Sequence, residues 1–170
     1  MKILFILIVV AAGGVILFFN LAKNQEETPS QFTQTPTPQT QEAVDLKASF
    51  AIYTNNTFRI FTAPMYHNLS EDVFIRASNP NVVRVAKAGV TWNDFFQTLP
   101  MKLNSNCLTT GTGQTFCTGS NGTLKFYLNG KKIDNFLELE IKESDKALIT
   151  FGNENEDHIQ IQLERVQTIN

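Results

Sequence analysis

The chain has 170 residues and a formal net charge of -2, and only 18% of its residues are charged. No basic stripe or tail is present, which argues against a nucleic-acid binder that works by neutralising phosphates. The length permits one modest domain or two very small ones, and fourteen Phe against one Trp and three Tyr provide a large apolar payload for a core.

The first element is "ILFILIVVAAGGVILFFNLA", which runs from Ile3 to Ala22 without a charge between Lys2 and Lys23. That is enough to cross a hydrocarbon layer of about 30 Å as a helix. A cleaved signal peptide is the rival reading, but its apolar region should be shorter and should end in small residues. The exit "FNLA" places Asn20 where a small residue belongs. A buried soluble helix fits less well, since the run has no polar face. Lys2 and the α-amino group favour an inside N-terminus, so everything from Lys23 onward is expected outside the cytoplasm. No Cys lies near the segment, so a lipoprotein anchor is not expected.

Residues 23–44 include "KNQEETPSQFTQTPTPQTQEA", rich in Thr, Gln and Pro and nearly free of aliphatics. Such a composition buries too little surface to fold and reads as a spacer. From about Asp45 the texture changes. "SFAIYTNNTFRIFT" predicts two strands turning at Asn55-Asn56, since Asn tolerates the positive φ that tight hairpin turns need. "DVFIRAS" and "NVVRVAK" predict two more strands around Asn79-Pro80-Asn81. In "GVTWNDFFQTLP" the period lengthens: Thr91 is an N-cap with Asp94 closing a capping box, and Pro100 ends the helix.

After the helix comes "SNCLTTGTGQTFCTGSNG", which holds the only two cysteines, Cys107 and Cys117. The stretch between them reads as a flexible loop. A redox pair would normally have C-x-x-C spacing at a helix start, and a structural zinc site needs about four ligands. An oxidising compartment favours a disulfide staple, with the redox and metal readings as its rivals. "GTG" at Gly111–Gly113 lacks the remaining parts of a phosphate loop.

"TLKFYLNGKKI" predicts a hairpin at Asn129-Gly130. "FLELEI" and "KALITF" read as strands, and "HIQIQLERV" as an alternating strand with Ile159, Ile161 and Leu163 inward. "FAIYTNNTFRI" and "LKFYLNGKKI" echo each other, as two hairpins will. The acidic "GNENEDH" imitates a calcium loop, but His158 stands where that loop requires Gly, so a solvated hairpin tip is expected. His67 and His158 are isolated, and Glu71-Asp72 have no nominated partner; no catalytic residue and no cofactor is assigned. Asn55, Asn68 and Asn121 begin Asn-x-Ser/Thr triplets and are candidate glycosylation sites.

From "GVTWNDFF" through the cysteine pair to "LKFYLNGKKIDNFLELEIKESDKALITFG", the chain resembles a family of small membrane-anchored extracytoplasmic proteins of archaea and candidate-phylum bacteria. Some of its members are labelled protein-disulfide isomerases. The resemblance covers about 45–152 and implies retention of the cysteine pair. It also implies repeated histidines where this chain has Asp45, Lys47 and Ser49, then Ile75 and Ala77, then Arg84 and Ala86. A transition-metal site built on those imidazoles is therefore expected to be lost. The second half resembles β-grasp domains, in which a sheet wraps one helix.

The sequence thus predicts an anchor over 1–22, a spacer over 23–44 and an extracytoplasmic α+β domain over 45–170. The domain is expected to be mostly antiparallel sheet with one short helix and a β-grasp-like core over about 82–166. The leading function is a non-enzymatic surface binding module, attached to the membrane through residues 3–22 and working with an envelope protein partner. A thiol–disulfide redox protein and a metal-handling domain are the alternatives.

Overall fold

Halfway along its first strand the chain stops alternating. Residues 43–47 are exposed or half-buried in turn, whereas Ala48 to Thr54 are buried without a break. A strand buried on both faces needs a layer on each side. The computed structural model describes residues 42–169 and supplies both layers. The expected anchor over 3–22, and the spacer up to residue 41, lie outside the described residues. Among the described residues no helix is long and apolar enough to cross a membrane.

In chain order the strands are β1 (Ala43–Thr54), β2 (Thr57–Phe58), β3 (Val73–Arg76) and β4 (Asn79–Lys87), followed by helix α1 (Trp92–Thr98). Three short strands come next: β5 (Lys102–Leu103), β6 (Cys107–Thr109) and β7 (Thr115–Cys117). The chain ends with β8 (Thr123–Leu128), β9 (Lys131–Lys132), β10 (Lys146–Gly152) and helix α2 (Glu156–Gln167). The main sheet has the order β3-β4-β1-β10-β8-β9, with β2 beside β1, and β5-β6-β7 form a second small sheet. Among the described residues only the β1–β10 pairing is parallel, from Ser49 opposite Lys146 to Thr54 opposite Phe151. Over the described residues the fold is therefore α+β, with mostly antiparallel strands and two helices.

Alternation sorts the core. Phe50, Ile52, Ala147 and Ile149 face one layer, which holds α1 with Trp92, Phe95 and Phe96. Ala51, Tyr53 and Leu148 face the other, where α2 lays down Ile159, Leu163 and Val166. Phe50 is the hub of the first layer, with ring centroids 5.1 Å from Phe61 and 5.3 Å from Phe95.

Locally encoded elements stand where they are expected. Asn55 and Asn56 take φ of 49° and 60° at the β1–β2 turn, and Asn129 and Gly130 take 53° and 82° at the β8–β9 turn. Thr91 caps α1: its side chain accepts from the Asp94 amide while the Asp94 carboxylate accepts from the Thr91 amide at 2.8 Å.

Four expectations need correction. "HIQIQLERV" is not a strand but part of α2. Asn155 caps that helix by accepting from the His158 amide, Glu156 and Asp157 sit in the positive first turn, and Arg165 sits in the last. Ile159 and Leu163 do point inward, but Ile161 is exposed and Gln162 is buried in its place. "GNENEDH" is accordingly the entry to that helix, not a hairpin tip. "FLELEI" contains a 3-10 turn, Phe136–Glu138, which buries Phe136. The β3–β4 reversal falls at Ala77-Ser78, so Pro80 lies near the start of β4, where a missing N–H is tolerated.

Two outcomes follow from this packing. Phe50→Ala should cost about 3–5 kcal/mol, read as a lowered denaturant midpoint. The second concerns the α2 layer, where burial pushes the Tyr53 phenol above its ordinary 10.0, partly offset by Arg165. Burial, and then Glu156 and Glu154, push Tyr127 the same way. A raised folded value means that this contribution to stability is complete below the unfolded-chain pKa of about 10. It is lost as pH rises through the folded values. Unfolding midpoints should therefore fall above about pH 10, with Tyr53→Phe and Tyr127→Phe flattening the decline.

Candidate ligand cleft

Two segments stand outside the main sheet, the stretch 59–72 after β2 and the small sheet β5-β6-β7. Each sinks one side chain into the α1 layer, Phe61 from the first and Leu108 from the second. Between them opens a cleft of about 250 Å³. Ile52, Phe61, Tyr66, Met101 and Leu108 line it, and Ile60 stands at its edge 67% exposed.

The charged group of this cleft is Arg59, which is held at several points. Its amide donates to the Ile52 carbonyl at 2.8 Å, and its Nε donates to Thr54 Oγ1 at 2.6 Å. The guanidinium carbon lies 5.3 Å from the centroid of the Phe116 ring, a cation–π arrangement. Among the described residues Arg59 forms no ion pair, and no acidic residue lines the cleft. Gly111 lets the opposite wall come close. A Cβ there would stand 2.5 Å from Tyr66 Oη and 3.0 Å from the Pro100 carbonyl oxygen.

Cys107 and Cys117 form a disulfide at directly opposed positions of β6 and β7, with Cα atoms 4.1 Å apart. The neighbouring Thr118 amide donates to the Asn106 carbonyl at 2.8 Å. The cysteines therefore occupy a non-hydrogen-bonded pair, where side chains of opposed strands approach most closely. The stretch between them is not the flexible loop expected from its composition. It is a hairpin, in which Thr109 and Thr115 hydroxyls meet across the strands at 3.0 Å and Gly113 turns the chain at φ 88°. The disulfide lies on its outer side. The inner side presents Leu108 and Phe116, the cleft wall and the platform under Arg59.

A larger cleft, about 570 Å³, lies between the start of α1, residues 103–105 and the 3-10 turn. Its rim is polar, with Asn93, Asn104, Asp134 and Glu138, and its aromatic floor, Phe126 and Phe136, is buried. It has apolar surface to offer, from Leu103, Leu137 and the two rings, but no basic side chain lines it.

The other residues nominated from sequence are not brought together. His67 Nε2 donates to the Phe61 carbonyl at 2.8 Å on the α1 side of the sheet, whereas His158 lies in the first turn of α2 on the other side. Asp72 pairs with Lys87 at 3.2 Å, and Glu71 is exposed. Among the described residues no three His, Cys, Asp or Glu side chains are grouped to hold a metal. Asn55, Asn68 and Asn121 are all exposed. Of the positions where the resemblance implies histidines, Asp45, Lys47 and Ser49 share a face of β1 with Arg84 and Ala86 of β4. Ile75 is fully buried on the opposite face.

No family model, curated protein or solved structure matches this chain. Arg59, Ile60, Tyr66 and Met101 were not nominated from sequence, because no local periodicity marks "RIFTAPMY" and the partners of Arg59 lie on other strands.

The staple should matter most to the cleft wall. By loop closure a bridge of this span stabilises by about 2.5–3 kcal/mol. Reduction, or Cys107→Ser with Cys117→Ser, should lower the urea midpoint accordingly, with a steeper slope if anything, because the unfolded chain loses a constraint. Amide exchange should accelerate first in β6 and β7, ahead of β1 and β10.

Proposed function

We propose that this chain is a membrane-anchored extracytoplasmic binding module, built on a β-grasp core, that carries out no chemistry of its own. The observation that carries this reading is the Arg59 cleft, an apolar recess with one oriented cation and no internal counterion. Its lining sets Arg59, Tyr66, Thr110 and Thr112 among Ile52, Phe61, Met101 and Leu108, and a few placed polar groups among apolar side chains are the usual form of a binding site. The β-grasp reading is supported by α1 lying across a sheet centred on β1 and β10, followed by the β8–β9 hairpin. On this reading the core begins at β1, well before residue 82, and the two cleft-forming segments are additions to it.

The chain enters the domain at Glu42, at the start of β1, while Ile52 and Arg59 stand at the other end of that strand. At about 3.3 Å per residue the separation is roughly 30 Å. The cleft therefore lies at the end of β1 remote from Glu42. The disulfide fits an oxidising compartment, in keeping with the family resemblance.

A photoreactive benzoyl-phenylalanine placed at Ile60, in the full chain in its own membrane, should give a cross-linked adduct. The same group at Ile161, equally exposed but on α2, should not. Adducts at Ile161 alone, or at neither position, would remove the cleft from the binding role.

A further inference from the structure

We infer that the Arg59 cleft receives a small monoanionic amphipath, an apolar carboxylic acid whose carboxylate meets the Arg59 guanidinium; this rests on the binding-module reading above. The argument starts from the charge. Arg59 is half-buried, its Nε is taken by Thr54, and its flat face is covered by Phe116. A cation partly withdrawn from water and lacking an ion-pair partner is costly. An incoming carboxylate offsets that cost through the remaining N–H donors, which a guanidinium presents in a fork matched to two carboxylate oxygens.

The lining then narrows the class. No acidic residue in the cleft repels an anion, and no second basic residue lines it to balance a second negative charge. A phosphate monoester or a dicarboxylate would therefore carry uncompensated charge against Ile52, Leu108 and Met101. A monoanion with an apolar body leaves no charge unpaired. The size points to a free acid: about 250 Å³ falls below the range of roughly 300–1,000 Å³ that holds drug-sized ligands. Ile60, exposed at the edge, is placed to close over the apolar end of such a molecule.

The test uses the full chain in lipid nanodiscs, with empty nanodiscs as blank, and ligand-observed NMR titrations. The probes are 4-phenylbutyrate and its neutral isostere 4-phenylbutyramide. The acid should bind saturably, and the amide at least about tenfold more weakly, as loss of a charge-assisted hydrogen bond requires. Arg59→Gln should erase the discrimination, and Arg59→Lys should keep part of it. Thermal melts of both variants check folding; if Arg59→Gln does not fold, the acid-to-amide ratio of the wild type decides. Equal binding of acid and amide, no saturable binding of either, or acid preference surviving in folded Arg59→Gln would each overturn the inference. A peptide ending in a free Phe carboxylate, binding more tightly than 4-phenylbutyrate, would overturn the free-acid assignment in favour of a chain terminus. Absence of acid binding together with an Ile60 cross-link to a protein would overturn this inference and leave the binding-module reading standing.

Discussion

The structure depends on the parallel pairing of β1 with β10. These two strands lie at the centre of the main sheet and are buried on both faces, so neither helix is optional. Parallel strands cannot be joined by a tight turn and need a long crossover; here almost everything between residues 54 and 146 is that crossover. The junction is pinned by polar contacts at the start of β10. The Ser144 amide donates to the Lys47 carbonyl at 2.7 Å, and the Lys47 amide donates to Glu143 at 2.7 Å. Asp145, itself buried, accepts from Asn129 at 2.8 Å and from the Lys142 amide at 2.9 Å. The β8–β9 turn and the first strand are thereby both fastened to the turn that leads into β10. A fold centred on such distant contacts forms late, since closing the long loop must precede any gain from the pairing.

The far end of the same strand pair is fastened differently. Lys125 pairs with Glu154 at 3.2 Å, with side chains 13% and 5% exposed. Glu154 also accepts from the Asn56 amide at 3.1 Å, and the Asn56 side chain accepts from Gln162 at 3.1 Å. This network joins the β1–β2 turn, β8 and α2. A buried ion pair of this kind is a weak source of net stability, because desolvation consumes most of the attraction. Its consequence is geometric: it fixes where α2 begins and holds the β1–β2 turn from which Arg59 follows.

What the sequence made legible was whatever a few consecutive residues decide. The Asn55-Asn56 and Asn129-Gly130 turns are set by backbone freedom at two positions, and the Thr91–Asp94 box by reciprocal hydrogen bonds within one turn. α2 was misread because "HIQIQL" satisfies period two over six residues. The spacing of Ile159, Leu163 and Val166 satisfies the helical period equally well, and the tie is broken by Asn155 followed by Glu156 and Asp157. The small sheet was illegible because strands of two or three residues carry no period, and its Thr109–Thr115 contact exists only once the hairpin has closed. The cleft was illegible for a stronger reason. Arg59 looks like any exposed strand-end cation until Phe116, far along the chain, is placed beneath it.

That placement gives the disulfide a more local meaning than stability alone. Hairpins of this size are marginal in water by themselves, and this one keeps only Leu108 fully buried. Phe116 is half-buried, with its ring 5.4 Å from Phe151 of β10 on one side and under Arg59 on the other. The covalent link between Cys107 and Cys117 removes alternatives from the open hairpin and so favours the register that brings Phe116 inward. Without that register Arg59 keeps its backbone hydrogen bond to Ile52 but loses the ring that covers its guanidinium. The same hairpin puts Leu108 into the core around Phe50 and Phe116 beneath Arg59, which places the cysteine pair in the construction of the cleft although neither sulfur faces it.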